Sequence, residues 1–101
     1  MALVRNIELI DLLRALADPN RLALLHALQE GHEKCKDIEG YIGIHVTDLT
    51  EQIGLSQPSA SKHLQILHGV GLVRVRRQGR WTYYMRDEDA ILEAKRMFQQ
   101  L

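Results

Sequence analysis

The chain has 101 residues, 46% of them apolar and 26% charged, and its 13 basic and 13 acidic residues cancel to a formal net charge of zero. That size fits one globular domain, residues 1–101, with a modest core and no room for a second. No apolar run approaches the roughly 20 residues of a membrane span, Arg5, Glu8 and Asp11 break the early apolar positions as a signal peptide would not, and the single Cys35 allows no internal disulfide, so a reducing cytoplasm is the expected setting.

Leu3, Ile7, Ile10 and Leu13 recur at helical spacing, widened by Leu9, Leu12 and Leu16, which predicts a first helix over about 3–17. "ADPN" ends it, because Asp18 can cap a second helix and Pro19 suits that helix's first position. The second helix runs through Leu22, Leu25 and Leu28 to about Glu30, and Gly31 is its expected stop. The stretch "GHEKCKDIEGYIGIH" has three glycines and no sustained period, so a loop or irregular insertion is expected over 31–45.

A short third helix follows in "VTDLTEQIGLS", begun by Thr47 or Asp48 and closed by Gly54. The fourth helix, "LSQPSASKHLQIL", is capped by Ser56, carries Pro58 in its first turn, and turns Leu55, Ala60, Leu64 and Leu67 to one side. Past Gly69 and Gly71 the period changes from 3.6 to 2: Val73 and Val75 alternate with Arg74 and Arg76, and Gly79 marks a hairpin tip. From about residue 87 a last helix aligns Ile91, Ala94, Phe98 and Leu101, with acids in its first turn. The order α-α-α-α-β-β-α is mainly α with one small β-hairpin, a winged helix-turn-helix layout.

Zero net charge argues against a nucleic-acid partner until the distribution is read. No acid lies between Glu51 and Asp87, where Lys62, Arg74, Arg76, Arg77, Arg80 and Arg86 supply six positive charges. The other 66 residues hold all 13 acids and seven basic residues. One third of the chain is therefore built to face an anion.

The fourth helix and the hairpin share that third. A helix entering the major groove needs short side chains where its backbone approaches and polar ends where base edges lie. Ser59, Ala60 and Ser61 supply the first, and Gln57, Lys62 and Gln65 the reach. The start of that helix also offers N–H groups to a phosphate. The arginine-flanked tip "RRQGR" can follow the phosphate backbone or enter a minor groove. The expectation is double-stranded DNA, with Gln57, Ser59 and Ser61 on bases or nearby phosphates and Lys62, Arg77 and Arg80 on the backbone. His63 either donates to the same partner or packs on the apolar flank. Trp81, Tyr83 and Tyr84 are expected to pack in the ribbon and core, with Tyr83 or Tyr84 turned inward.

Two other classes are weighed against this. A winged-helix module that binds protein without DNA would have no use for an acid-free basic segment. An enzyme would need a nucleophile elbow, a phosphate loop or a metal-hydrolase helix, none of which is present, and His63 and His68 have no acid in their segment to orient them.

"ALADPNRLALLHAL" and "DLTEQIGLSQPSASKHLQILHGVGLVRVRRQGRWTYYM" resemble the ArsR/SmtB family of bacterial repressors, over nearly all of the chain except 31–43. The resemblance implies a homodimer joined by the first and last helices, an imperfect inverted-repeat operator, and release when an effector binds. The apolar stripes support the dimer independently: two-fold pairing would cover Leu3, Ile7, Ile10, Ile91, Phe98 and Leu101, whereas a monomer would have to bury them internally. Metal-sensing members carry a cysteine pair at the positions of His45 and Thr47, and others use aspartate and histidines in the last helix, which has no histidine here. His32, Glu33, Cys35, Asp37, Glu39 and His45 in the insertion match no recognised ligand spacing. Cys35, flanked by Lys34 and Lys36, could act as a redox sensor but has no resolving partner in its own chain. No cofactor is expected, and the effector is unassigned.

Overall fold

The computed structural model describes residues 8–101, so Leu3 and Ile7 lie outside the described residues. The elements are α1 (Leu9–Leu16), α2 (Pro19–Cys35), β1 (Ile44–His45), α3 (Val46–Ile53), α4 (Gln57–Gly69), β2 (Val73–Gln78), β3 (Trp81–Arg86) and α5 (Glu88–Gln99). Among the described residues no helix is long and apolar enough to cross a membrane.

Local chemistry sets most boundaries. The Asp18 carboxylate accepts the N–H groups of Asn20 and Arg21, at 2.8 and 3.1 Å, ahead of Pro19 in the first turn of α2. Ser56 Oγ accepts the Ser59 N–H at 3.3 Å and opens α4. Gly54, with φ at +80°, closes α3 in the left-handed conformation. Asp87 caps α5 by accepting from the Ala90 N–H at 3.0 Å.

Four expectations are corrected. Helix α2 continues through Gly31 to Cys35. Gly31 is a point of close approach: a Cβ there would lie 2.7 Å from Ile44 Cδ1, so the missing side chain lets β1 cross the helix. The expected loop thus shrinks to residues 36–43, and its end becomes a third strand, giving an antiparallel sheet ordered β1-β3-β2. Two residues are too short to show a period, and Ile44 and His45 are fixed by pairing with Tyr84 and Tyr83. Helix α3 starts at Val46, because His45 Nδ1 accepts the Thr47 N–H at 3.1 Å and takes the capping place expected of Thr47 or Asp48. Leu22 is 52% exposed, since α2 turns Leu24, Leu25, Ala27 and Leu28 inward instead.

The core gathers Leu12, Leu24, Leu28, Leu49, Leu64, Leu67 and Leu72, all fully buried, with Val73, Tyr84, Ala90 and Ala94 around them. Every helix contributes, and the inner face of the sheet closes it. Ile91 and Phe98 pack partly against this cluster, so Leu92 and Leu101 are the exposed large apolar residues at the C-terminal end.

Candidate nucleic-acid interface

Helices α3 and α4, joined through Gly54 and the half-buried Leu55, form a helix-turn-helix. Because Ala60, Leu64 and Leu67 face the core, helical spacing puts Pro58, Lys62, Gln65 and Ile66 on the opposite side. Gln57, Lys62 and Gln65 are exposed, while Ser59, Ser61 and His63 are half-buried along the flanks. Sequence reasoning passed over Ile66. It is 40% exposed on the outward side, four residues after Lys62, and that spacing was the available signal.

The hairpin begins where α4 ends. Leu72 donates its N–H to Leu67 O at 3.1 Å, which ties the strand entry to the helix, and α4 packs on β2. The register pairs Gln78 with Trp81, leaving Gly79-Arg80 as a two-residue turn. Gly79 has φ at +61° and Arg80 does not have a positive φ, the combination of a type II′ turn, whose twist suits a hairpin. Strand alternation puts Arg77 on the face that Val73 and Val75 turn toward the helices, and Arg74 and Arg76 on the other. Tyr84 is on the same face as Arg77; burial raises its hydroxyl pKa, and the Arg77 charge works against that rise.

The aromatic residues divide as the alternation predicts. Tyr84 is buried, while Tyr83 packs edge-on against His45 with ring centres 5.4 Å apart. Trp81 also meets His45 edge-on at 5.0 Å but is 49% exposed, and the Arg80 guanidinium lies 5.4 Å from its ring centre. The indole thus both packs in the ribbon and carries an arginine at the tip.

The six cations of the acid-free third are not equivalent. Arg74 faces Asp87 at 3.5 Å and Arg86 pairs with Glu88 at 3.0 Å, both acids lying just past the segment. Among the described residues, Lys62, Arg76, Arg77 and Arg80 are in no ion pair. They are exposed, and their charge is available to a polyanion.

His45 Nδ1 is engaged as the cap of α3, Thr47 is exposed, and Glu33 is bonded to Lys36 at 3.0 Å. Among the described residues no three His, Cys, Asp or Glu side chains converge as a metal site.

A serine- and glutamine-bearing helix beside an arginine-tipped ribbon defines a winged helix-turn-helix DNA-binding protein. A helix-turn-helix domain model matches residues 16–76. An uncharacterized HTH-type transcriptional regulator of Bacillus subtilis (strain 168), YbzH, is 38% identical over 88 residues, covering 83% of this chain and 88% of the relative. The arsenical resistance operon repressor of Escherichia coli (strain K12) is 37% identical over 75 residues, covering 74% of this chain and 56% of the repressor. The solution structure of a homodimeric winged helix-turn-helix DNA-binding domain from Mycobacterium bovis, a possible ArsR-family regulator, aligns with a TM-score of 0.66 at 27% identity, covering 87% of this chain and 72% of that one. The chain belongs to the ArsR/SmtB family of DNA-binding transcriptional regulators.

Proposed function

We propose that this chain is a homodimeric repressor that grips an inverted-repeat operator with two α4 helices and two hairpins and lets go when an effector binds. The observation that carries the reading is the set of four exposed cations on α4 and the hairpin that have no ion-pair partner among the described residues, in a segment without acids. Gln57, Ser59 and Ser61 read base edges or adjoining phosphates, while Lys62, Arg77 and Arg80 hold the backbone. His63 sits at the flank of the reading helix. Residues 1–101 act as one DNA-binding domain.

The dimer joins the first and last helices, over about 3–17 and 87–101. Ile10 and Leu13 on α1, with Leu92 and Leu101 at the C-terminal end, are large apolar residues left 41–83% exposed within one subunit. A second copy would cover them, as the homodimeric relative from Mycobacterium bovis suggests. Two-fold symmetry in the protein then calls for two-fold symmetry in the operator, with half-sites spaced by whole turns of the duplex. The work is done in the cytoplasm, without cofactor or catalysis.

Selection of bound duplexes from a random pool tests the reading. Enrichment of two inverted half-sites supports it. Failure to enrich any duplex, with the protein folded, would transfer the case to a winged-helix module that binds protein.

A further inference from the structure

Arg21, in the first turn of α2, has no place in the DNA-reading residues above, yet its guanidinium reaches three other groups. Nε donates to Ala15 O, and Nη2 donates to Arg14 O at 3.2 Å, so two carbonyls of the last turn of α1 are satisfied. Nη1 lies 3.1 Å from Nδ1 of His63 on α4. One planar fork thus joins the end of α1 to the reading helix. The chain separation is 42 residues, which hides the link from any local pattern.

The chemistry of the contact is one-sided. A guanidinium has donors and no acceptor, so Nδ1 of His63 must be the acceptor. The ring proton then sits on Nε2, which stays available as a donor. Asp18 faces the same cluster: its carboxylate feels the charge of Arg21, and it accepts the Arg21 N–H. Arg21 is therefore held at its backbone by Asp18 while its side chain holds both helices.

On α4, His63 lies between the core side, marked by Ala60, Leu64 and Leu67, and the outward side with Lys62 and Ile66. A bond there resists rotation of α4 about its own axis. A turn of about 15° would carry a side-chain tip at a radius of roughly 6 Å through about 1.5 Å, enough to break a hydrogen bond to a base edge.

We infer that Arg21 is a positioning residue for DNA reading: it fixes His63 as the Nε2–H tautomer and sets the rotation of α4 against α1. The inference rests on the DNA-binding reading, since only there does the angle of α4 matter. It also links the dimerising helix to the reading helix through a single side chain.

Two measurements test it. Long-range nitrogen NMR of the free protein at neutral pH should show His63 protonated at Nε2 alone, and Arg21→Lys should convert it to a mixture of tautomers. Arg21→Lys should also lower the affinity ratio of selected over scrambled duplex about tenfold, with little change for the scrambled duplex. In a His63→Leu background the same change should have no further effect. A ratio within twofold of wild type, equal losses in both backgrounds, or an Nδ1-protonated His63 would overturn the inference. Should Arg21→Lys fail to fold, His63→Asn and His63→Leu replace it. Both lack Nε2, but asparagine keeps an acceptor near the Nδ1 position, so it should retain several-fold more discrimination than leucine. Equal ratios for the two would count against Arg21. If wild type prefers no duplex, the DNA-binding reading itself has failed, and the tautomer still decides whether the contact exists.

Discussion

Arg74 and Asp87 meet at the base of the hairpin, Nε to Oδ2 at 3.5 Å, with the Asp87 side chain only 8% exposed. Asp87 Oδ1 meanwhile caps α5, so this carboxylate ties the hairpin to the last helix. Arg77, three residues along β2, has no ion-pair partner among the described residues. The two arginines should therefore behave differently on DNA. Arg77→Ala is expected to weaken every duplex about equally and, with one charge lost from each subunit of the pair, to reduce the steepness of the salt dependence by about 2. Arg74→Ala should leave that steepness nearly unchanged. Anisotropy titrations across a salt series would check both, and an equal loss in the two variants would contradict the partition.

Trp81 is the only tryptophan, so its fluorescence reports on the hairpin tip alone. If Arg80 leaves the indole for a phosphate, the emission should change as a selected duplex is added. Trp81→Ala removes from the free protein a cation–π contact worth about 0.5–1 kcal/mol at an exposed site, so Arg80 is released at lower cost and binding should tighten a few-fold at most. Unchanged emission at saturation would place the tip away from the duplex.

Two glycines in the segment before β1 should respond unequally to alanine. Gly40 has φ at +83° with nothing within 4 Å of an added Cβ, so Gly40→Ala meets only the backbone strain of about 1–2 kcal/mol. Gly43 has φ at +130°, and its Cβ would lie 2.7 Å from Tyr84 O, a backbone atom of the central strand. Gly43→Ala should cost clearly more in urea unfolding, because β1 must move off β3.

Asp18 gives a pH signature. Desolvation alone would raise its pKa, but the N–H groups of Arg21 and Asn20 and the nearby charge of Arg21 together bring it below the ordinary value of 3.8. A carboxyl lowered in the folded state stabilises fully above its unfolded value, and that contribution is lost as pH falls through the folded one. Asp18→Asn should thus be less stable than wild type near neutrality, with the gap closing below pH 3.8. A gap that stayed constant into acid would remove the charge from the explanation.

Helix α4 and the hairpin were legible because each repeats one period over many residues and is bounded by Ser56, Gly69 and Gly79. The continuation of α2 was not, since Gly31 looks like a stop until Ile44 is seen crossing it. Strand β1 was hidden by its length, and His45 as a cap by the rarity of imidazole in that role. The serine, glutamine and arginine side chains of the interface were readable as types. Which cations are spent within the fold was not, because Asp87 and Glu88 reach back to Arg74 and Arg86 from outside the basic segment. Arg21 was invisible for the same reason on a larger scale: its partner is 3.1 Å away in space but 42 residues away in sequence.

Salt dependence of duplex affinity tests the central claim most directly. Four cations without an ion-pair partner among the described residues of each subunit make eight in a pair, and neutralising about eight phosphates gives log affinity a slope near −7 against log salt. A slope close to that, falling by about two when Arg77 and Arg80 are both removed from one subunit type of a mixed pair and by about four when removed from both, is the expected result. A flat line, or a slope indifferent to those arginines, would contradict it.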